Sequence, residues 1–547
     1  MKAVLTAALA FALLAPGGAE AARYAVGLEP GASPAGVRRA LERATGGSVA
    51  TGLLALRALT LRAPGAQGVA RIQGVAWVER LDARRRMAYA PTDPLAARQW
   101  YLAQTRAFDA WAEPPPLAPV LVAVIDSGID GDHPEFARRI VAARSFVGGS
   151  ARTDAIGHGT FVAGIIAAST NNGIGIAGMA PSAGLIVAKV VRLDRSISVE
   201  AEARAIRWAV DAGARVINFS LGGLRDPRNL ERDTYSPLEA AAIDYAYRRG
   251  AVLVAAVGNA DGAPSRPWPF ASYPAALPHV IGVSALARDG SVPSFSDRDR
   301  ILNDIAAPGD DIFSTLPRSL TAVRPACVNQ GYSDCGPEEY RNAQGTSFAA
   351  PQVSAAAAVL RAARPDLRAG QVMNLLTRSA TDVGPPLRDA LTGWGRLDVA
   401  AALAAAESGP LPPADAYETN DDAGGRSRRL WGRRRAIVAT VDYWDDQTDV
   451  YQVRLRHRER LVLSLRGPAG SKLILWQPGT KRVEGFSIDL QRRQVVQSRS
   501  RRAAERLAYR APVGGEGWYF VQVKLQEPGS GTYRLELSKS VIVGRKG

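Results

Sequence analysis

The spacing of hydrophobic residues changes repeatedly along this chain, and each change marks a new kind of element. Val353 to Leu360 is built almost wholly of Ala and Val and ends in Leu, apolar on every side, so it predicts a helix buried in a core. It is led in by Gln344-Gly345-Thr346-Ser347-Phe348-Ala349-Ala350-Pro351, which places Ser347 in the first helical turn. There a hydroxyl lies near unsatisfied backbone N–H groups and the positive end of the helix dipole. Capping the helix is the other common use of Thr346 or Ser347.

Upstream, strand and helix patterns alternate from residue 91 to 407. Val120 to Ile125 is a continuous apolar run, as a strand buried on both faces requires. A helix is expected at His158 to Ala168 and a strand at Leu185 to Val191. An amphipathic helix follows at Glu200 to Ala212, then a strand at Arg215 to Phe219. Leu238 to Arg249 reads as helix, and Ala251 to Val257 and Val280 to Ala285 as strands. This succession predicts an α/β fold with a mostly parallel sheet and helices on both faces.

The flanks differ. Residues 22 to 90 read as a small α+β unit. Strands are expected at Tyr24 to Leu28, Leu54 to Leu61 and Val75 to Leu81. Pro34 to Thr45 is a helix stopped by Gly46-Gly47, and Gly68 to Gln73 a short helix. Arg84-Arg85-Arg86 marks an exposed boundary. Such a unit suits a binding module or a prosegment that assists folding. Residues 408 to 414, rich in Gly and Pro, form a linker. Beyond them, strands are expected at Ala436 to Val441, Asp449 to Leu455, Leu461 to Leu465, Lys472 to Trp476, Trp518 to Val523 and Tyr533 to Leu537. A β-sandwich of about seven strands is the expectation for residues 415 to 547.

Composition refines this picture. The chain is 47% hydrophobic and 22% charged, as a globular protein with a large core requires. Residues 1 to 21 have a basic start, an apolar stretch and small residues at Ala19 and Ala21, so they read as a secretory signal cleaved after Ala21. The apolar stretch is too short for a membrane anchor, and no later run is long enough to span a bilayer. An exported, soluble, monomeric product is expected. Cys327 and Cys335 lie close together in a loop-like segment and suit one local disulfide in an exported protein. From Asp415 onward 26 Lys and Arg face 15 Asp and Glu, which supplies +11 of the chain's +16. That surface could hold an acidic polymer or membrane, or be a solvated arginine-rich face. Nothing beyond charge points to nucleic acid.

In parallel sheets the site lies past the carboxyl ends of the strands. Asp126 directly follows Val120 to Ile125, His158 opens a helix between two glycines, and Asn259 ends the strand Ala251 to Val257 through Gly258. Each alone suits a turn or a helix end. Together with Ser347 they supply an acid, a base, an amide donor and a nucleophile, the set that acyl transfer by a serine needs.

The segments Asp126-Ser127-Gly128-Ile129, Gly157-His158-Gly159-Thr160-Phe161-Val162-Ala163-Gly164, Asn218-Phe219-Ser220-Leu221-Gly222-Gly223, Ala256-Val257-Gly258-Asn259 and Gly345 to Pro351 resemble those of the subtilisin-like serine proteases, the subtilases. The resemblance runs from about Asp93 to Ala405 and departs at Phe348, where relatives carry Met. It implies a secreted endopeptidase that needs no cofactor for its chemistry, with Asp126, His158 and Ser347 as triad and Asn259 as oxyanion donor. It further implies a substrate pocket walled by Ser220, Leu221, Gly222, Gly223, Ala255, Ala256, Val257 and Gly258, with Ser272 at its floor. These small, uncharged walls predict a neutral, apolar side chain before the scissile bond. A binding protein that keeps the fold without catalysis is the competing class; an esterase would want a Gly-x-Ser-x-Gly elbow, which Gly345-Thr346-Ser347 lacks.

The same resemblance makes residues 22 to 90 an inhibitory propeptide, cut off by the enzyme itself between Met87 and Pro91. It places structural calcium at Asp93, Glu135, Asn172, Ile174 and Ile176, residues that equally suit surface acids and a turn. Two insertions, Arg225 to Tyr235 and Arg318 to Asn342, are expected to border the cleft. Tyr417 to Asp422, Asp446 to Tyr451 and Gly531 to Leu535 resemble bacterial prepeptidase C-terminal domains.

Overall fold

The structure is a computed structural model. It describes residues 22–63, 66, 68–81, 89–110, 117–321, 339–408, 415–418, 420–442, 446–483, 488–498, 504–526 and 530–541. The signal segment, Met87 and both cysteines lie outside the described residues. The chain divides into two compact units, Met1–Met87 and Ala88–Gly547.

The first unit is a four-stranded antiparallel sheet of β1 (Ala22–Leu28), β2 (Ser48–Ala50), β3 (Ala58–Ala63) and β4 (Val75–Arg80), in the order β2-β3-β1-β4. Helix α1 (Pro34–Thr45) is capped by the Ser33 hydroxyl and stopped by Gly46, and it buries Val37 and Leu41. Three strands were expected and four are described. Leu54–Leu56 is a 3₁₀ turn, and the strand expected there starts only at Ala58. The reason is Arg57, whose left-handed backbone (φ 53) breaks the extended run.

The second unit opens with α2 (Trp100–Gln104). Its main sheet has seven strands: β5 (Val120–Asp126), β6 (Ile140–Ser145), β7 (Ala183–Lys189), β8 (Val216–Phe219), β9 (Val252–Ala256), β10 (Val280–Leu286) and β11 (Ile305–Pro308). Their order is β11-β10-β9-β8-β5-β7-β6 and every pairing is parallel. β5 sits inside the sheet and nearly all of it is buried, which accounts for its unbroken apolar run. Helices α3 (His158–Ala167), α4 (Val199–Asp211) and α5 (Pro237–Arg248) return the chain between strands. A short hairpin of β12 (Ile312–Thr315) and β13 (Tyr340–Ala343) flanks α6 (Arg318–Thr321) and leads into the long helix α7 (Thr346–Ala363). α8 (Ala369–Arg378) and α9 (Val399–Ser408) close this part.

Two cores result, one on each face of the sheet. α3, α7, α8 and α9 pack on one face with Val122, Val124, Val254 and Ile281. α4 and α5 cover the other with Ala123, Ile125, Ile217 and Leu253. In α7 almost every side chain is buried, including the whole run Val353 to Leu360. Small side chains let this helix lie close to the strands, so Ala packs here where Leu would not fit.

The C-terminal part is a sandwich of two sheets, with nine strands among the described residues. One sheet orders β14 (Arg428–Leu430), β16 (Thr448–Leu455), β21 (Gly517–Leu525), β18 (Ser471–Trp476) and β19 (Gln494–Gln497) as β14-β16-β21-β18-β19. The other orders β15 (Arg434–Asp442), β22 (Ser530–Val541), β17 (Glu459–Arg466) and β20 (Ala504–Arg510) as β15-β22-β17-β20. Their inner faces share a core of Leu463, Leu475, Val521 and Leu535. The three strands that match none of the ranges read from the sequence, β14, β19 and β20, all lie at sheet edges. Edge strands carry few buried apolar side chains, which is why Ala-Glu-Arg-Leu-Ala-Tyr-Arg gave little pattern. The sandwich meets the α/β part through Arg426 on Asp244 (3.3 Å) and Asn374 on Asp442 (3.1 Å).

On the α4–α5 face the buried carboxyls of Glu202 and Glu239 share a hydrogen bond. Both are pushed above the ordinary value of 4.5, Glu202 by burial and then by the charge of Glu239, and Glu239 by burial. The folded state therefore holds protons that the unfolded state releases first, so stability falls as pH rises from 4.5. Urea unfolding of a Ser347→Ala background across this range is expected to show that fall. The double substitution Glu202→Gln/Glu239→Gln is expected to make it shallower; an unchanged slope would contradict the pairing.

Candidate active site

The site is built from the last residue of β5 outward. Asp126 is 1% exposed. Its Oδ1 accepts the N–H of Ser127 at 2.7 Å, and His158 Nδ1 stands 2.8 and 2.9 Å from its two oxygens. A buried carboxylate is tolerable only with such partners. The geometry also assigns the imidazole: Nδ1 donates to Asp126, which leaves Nε2 facing the cleft.

A second acid holds the turn before α3. Asp154 is buried and accepts the backbone N–H groups of Ile156, Gly157 and Thr160 and the hydroxyls of Ser127 and Thr160. Ser127 in turn accepts the N–H of Gly159 at 2.9 Å. This ties the first turn of α3 to the end of β5. Gly159 is obligatory in that contact, because a Cβ there would lie 2.2 Å from the carbonyl oxygen of Gly128. Asp154 lies four residues before His158, and nothing in its spacing announces this role.

Ser347 is in the first turn of α7, as expected, and is half-buried while its neighbours Thr346 and Phe348 are fully buried. Its hydroxyl donates to the Ser220 carbonyl at 3.1 Å, and the Ser220 hydroxyl donates to the Ser347 carbonyl at 2.7 Å. Asn218 and Ser354 extend this chain, with Asn218 Nδ2 on Ser220 Oγ at 2.9 Å and Ser354 Oγ on Asn218 Oδ1 at 2.8 Å. Asn259 Oδ1 accepts both the N–H and the hydroxyl of Thr346 at 2.9 Å. Its oxygen is thereby committed, and Nδ2 is left to donate. Phe348 packs its ring 5.5 Å from the His158 ring and 4.5 Å from that of Phe161, so the larger residue in place of Met fills the floor beneath the imidazole.

The segments assigned to the substrate pocket lie together, but not all by their side chains. Ala255, Ala256 and Val257 point into the two cores, so they offer only backbone. Ser220 and Ser272 are buried, Leu221 is half-buried and Gly222 is exposed. Gly223 and Tyr273 exchange backbone hydrogen bonds of 2.9 Å each, which joins the two walls next to Ser272. The small, uncharged walls expected from the sequence are joined by an acid: Asp297 Oδ2 lies 3.4 Å from Ser272 Oγ. Beside Asp126 and His158 a hollow of about 180 Å³ is lined by Ile156, Val191, Ile197, Leu221 and Arg195. Apart from Leu221, the motifs did not single these residues out, since they belong to loops brought in by the fold.

The residues suggested for calcium are engaged with each other. Glu135 Oε1 accepts the Ile176 N–H and the Tyr340 hydroxyl, and Oε2 accepts Asn172 Nδ2. Asp93 accepts the N–H groups of Asn171 and Asn172. Asn172 Oδ1 accepts the Ile174 N–H. Glu135 Oε1 takes two hydrogen bonds, while its Oε2 and both oxygens of Asp93 take one each and keep a lone pair, and burial pushes Glu135 up to about 7.

Comparison with known proteins agrees with the geometry. The subtilase family model matches residues 118–395. Thermitase of Thermoactinomyces vulgaris is 35% identical over 277 residues, 50% of this chain and 85% of that protein. Subtilisin DY of Bacillus licheniformis is 36% identical over 268 residues, 49% of this chain and 85% of that protein. Subtilisin Savinase of Lederbergia lenta is 38% identical over 266 residues, 48% and 84%.

This chain belongs to the subtilase family. It is a subtilisin-like serine endopeptidase, and the catalytic set of a subtilase follows from that membership.

The electrostatics of this subtilase predict its pH response. Burial pulls His158 down, but the charge and hydrogen bond of Asp126 outweigh it, so the imidazole is raised above 6.5. A base must be neutral to act, so kcat/KM should fall as pH drops through a midpoint above 6.5. Asp126→Asn is expected to lower kcat by about 10⁴-fold and to move that midpoint down. A pH profile of peptide hydrolysis checks both, and an unmoved midpoint would count against the pair.

Proposed function

We propose that the protein is an exported, self-processing endopeptidase that cuts polypeptides through an acyl-enzyme on Ser347. The observation that supports this is the surroundings of Ser347: it heads a buried helix, its neighbour Phe348 packs 5.5 Å from the His158 ring of the Asp126–His158 pair, and its other neighbour Thr346 holds the amide of Asn259. In the free enzyme its hydroxyl donates to Ser220. On substrate binding it turns to His158 Nε2, which takes the proton as the oxygen attacks the scissile carbonyl. Asn259 Nδ2, with the backbone N–H of Ser347, meets the negative charge on that carbonyl oxygen. His158 returns the proton to the leaving amine and then activates water to release the acyl group.

A neutral, apolar side chain before the cut suits the pocket at neutral pH, because its walls are backbone and small side chains and burial pushes Asp297 up to about 8. The first unit acts as propeptide and inhibitor. Tyr89 packs its ring 5.7 Å from Phe108 and receives a hydrogen bond from Asn171, so it belongs with the catalytic unit. That favours a cut after Met87 over one after Tyr89. The signal segment supports export, and no helix among the described residues is long and apolar enough to cross a membrane. The basic C-terminal sandwich suits an acidic surface or polymer.

Three outcomes test this. A fluorophosphonate should label wild type at Ser347 and leave Ser347→Ala unlabelled. Asn259→Ala should lower kcat by about 10²–10³-fold with little change in KM. Made without other proteases, Ser347→Ala should accumulate with residues 22 to about 87 attached; processing of that variant at the wild-type junction would show that another enzyme does the cutting.

A further inference from the structure

Asp297 follows β10 in Ser294-Phe295-Ser296-Asp297, and the catalytic steps above do not use it. It is 1% exposed. Its N–H donates to the Gly258 carbonyl at 3.0 Å, one residue before the oxyanion donor Asn259. Its Oδ2 takes a long bond of 3.4 Å from the Ser272 hydroxyl, and Oδ1 has no hydrogen-bond partner. A Cβ on Gly258 would lie 2.2 Å from Oδ2 and 2.5 Å from Ser272 Oγ. Only glycine therefore lets this carboxyl press against the wall of the slot. On the opposite wall a Cβ at Gly222 would lie 2.4 Å from the Tyr273 carbonyl and 3.5 Å from Ser272 Cβ. Ser272 thus stands between the Gly222 and Gly258 walls, with Asp297 against it on the Gly258 side.

Taking the Proposed function's reading of these segments as the pocket, we infer that Asp297 is a specificity-determining residue, whose carboxylate receives the cationic end of a lysine or arginine preceding the scissile bond. The physical reason is the missing partner. A buried carboxylate with one weak hydrogen bond is costly, and among the described residues no side-chain cation is paired with it. An ammonium or guanidinium arriving from the slot supplies that partner. The charged groups facing Asp297 are Asp261, which opposes its ionisation, and Arg266, which favours it. Arg266 is itself committed to the Asn259 carbonyl at 3.1 Å. The Ala260 N–H favours the ionised form as well. Burial dominates and raises the group to about 8, so the slot carries a neutral carboxyl at neutral pH and a carboxylate in alkali. One pocket then takes apolar side chains throughout and adds basic ones as pH rises.

The test uses paired peptides that differ only at the residue before the cut, Lys or Arg against Leu or Phe. The ratio of their kcat/KM values cancels the titration of His158. In the mature wild type this ratio should rise on the order of tenfold between about pH 6.5 and about pH 9.5, as Asp297 ionises. In Asp297→Asn it should stay flat. A flat ratio in wild type, or an equal rise in the variant, overturns the assignment. Because Asp297→Asn could fold poorly, a second measurement needs only wild type: n-butylammonium, competing with the apolar peptide, should inhibit on the order of tenfold more tightly at the higher pH. Equal inhibition at both pH values overturns the assignment too. These failures leave the proteolytic reading intact, since the apolar peptide is still cut; loss of cleavage of both peptides by wild type sinks both.

Discussion

A carboxylate at the end of a strand buried on both faces is the constraint on which this catalytic unit depends. Asp126 cannot reach water, so its charge must be met by the Ser127 N–H and by His158. Meeting it fixes where α3 begins. The helix start is in turn held by Ser127 and by Asp154, and Gly159 is required because the first turn presses against Gly128. Positioning of the base and burial of the acid are thus one structural fact, and removing either leaves the other unsupported.

Helix α7 supplies the second half of the site by the same economy. It runs through the core on side chains no larger than needed, so its first turn has little freedom to shift. Thr346 anchors that turn to Asn259, and the bond also commits the amide of Asn259 in the direction that leaves its N–H₂ to donate. Ser220 grips the Ser347 carbonyl from the next strand end. The nucleophile is held by backbone and neighbours, while its own hydroxyl stays free to change partner.

Several acids are buried in this fold, and each is accommodated differently. Asp126 has a cationic partner in reach. Glu135 and Asp93 are met by amide and hydroxyl donors instead. Glu202, beside Glu239, holds a proton. Asp297 has neither a cation nor enough donors, and it too keeps a proton near neutral pH. The cost of burial is the same in kind for all of them; the available neighbours decide whether the group ends as charge, hydrogen-bond acceptor or acid.

The placement of Asp126, His158, Asn259 and Ser347 at the ends of core elements was legible in the sequence, because the apolar run of each such element is plain. The α/β class and the buried nature of α7 were legible for the same reason. The edge strands of the sandwich were not: β20 buries too few side chains for a period to show. Nor was the break at Arg57, where one left-handed residue overrides an apolar stretch. The direction of Ala255 and Val257 into the core, the hollow lined by Ile156 and Arg195, and Asp297 behind Ser272 come from contacts between segments far apart in the chain. Local pattern reports what a residue's own element buries. Which polar group another element brings against it is decided only when the sheet, its helices and its loops close on one another.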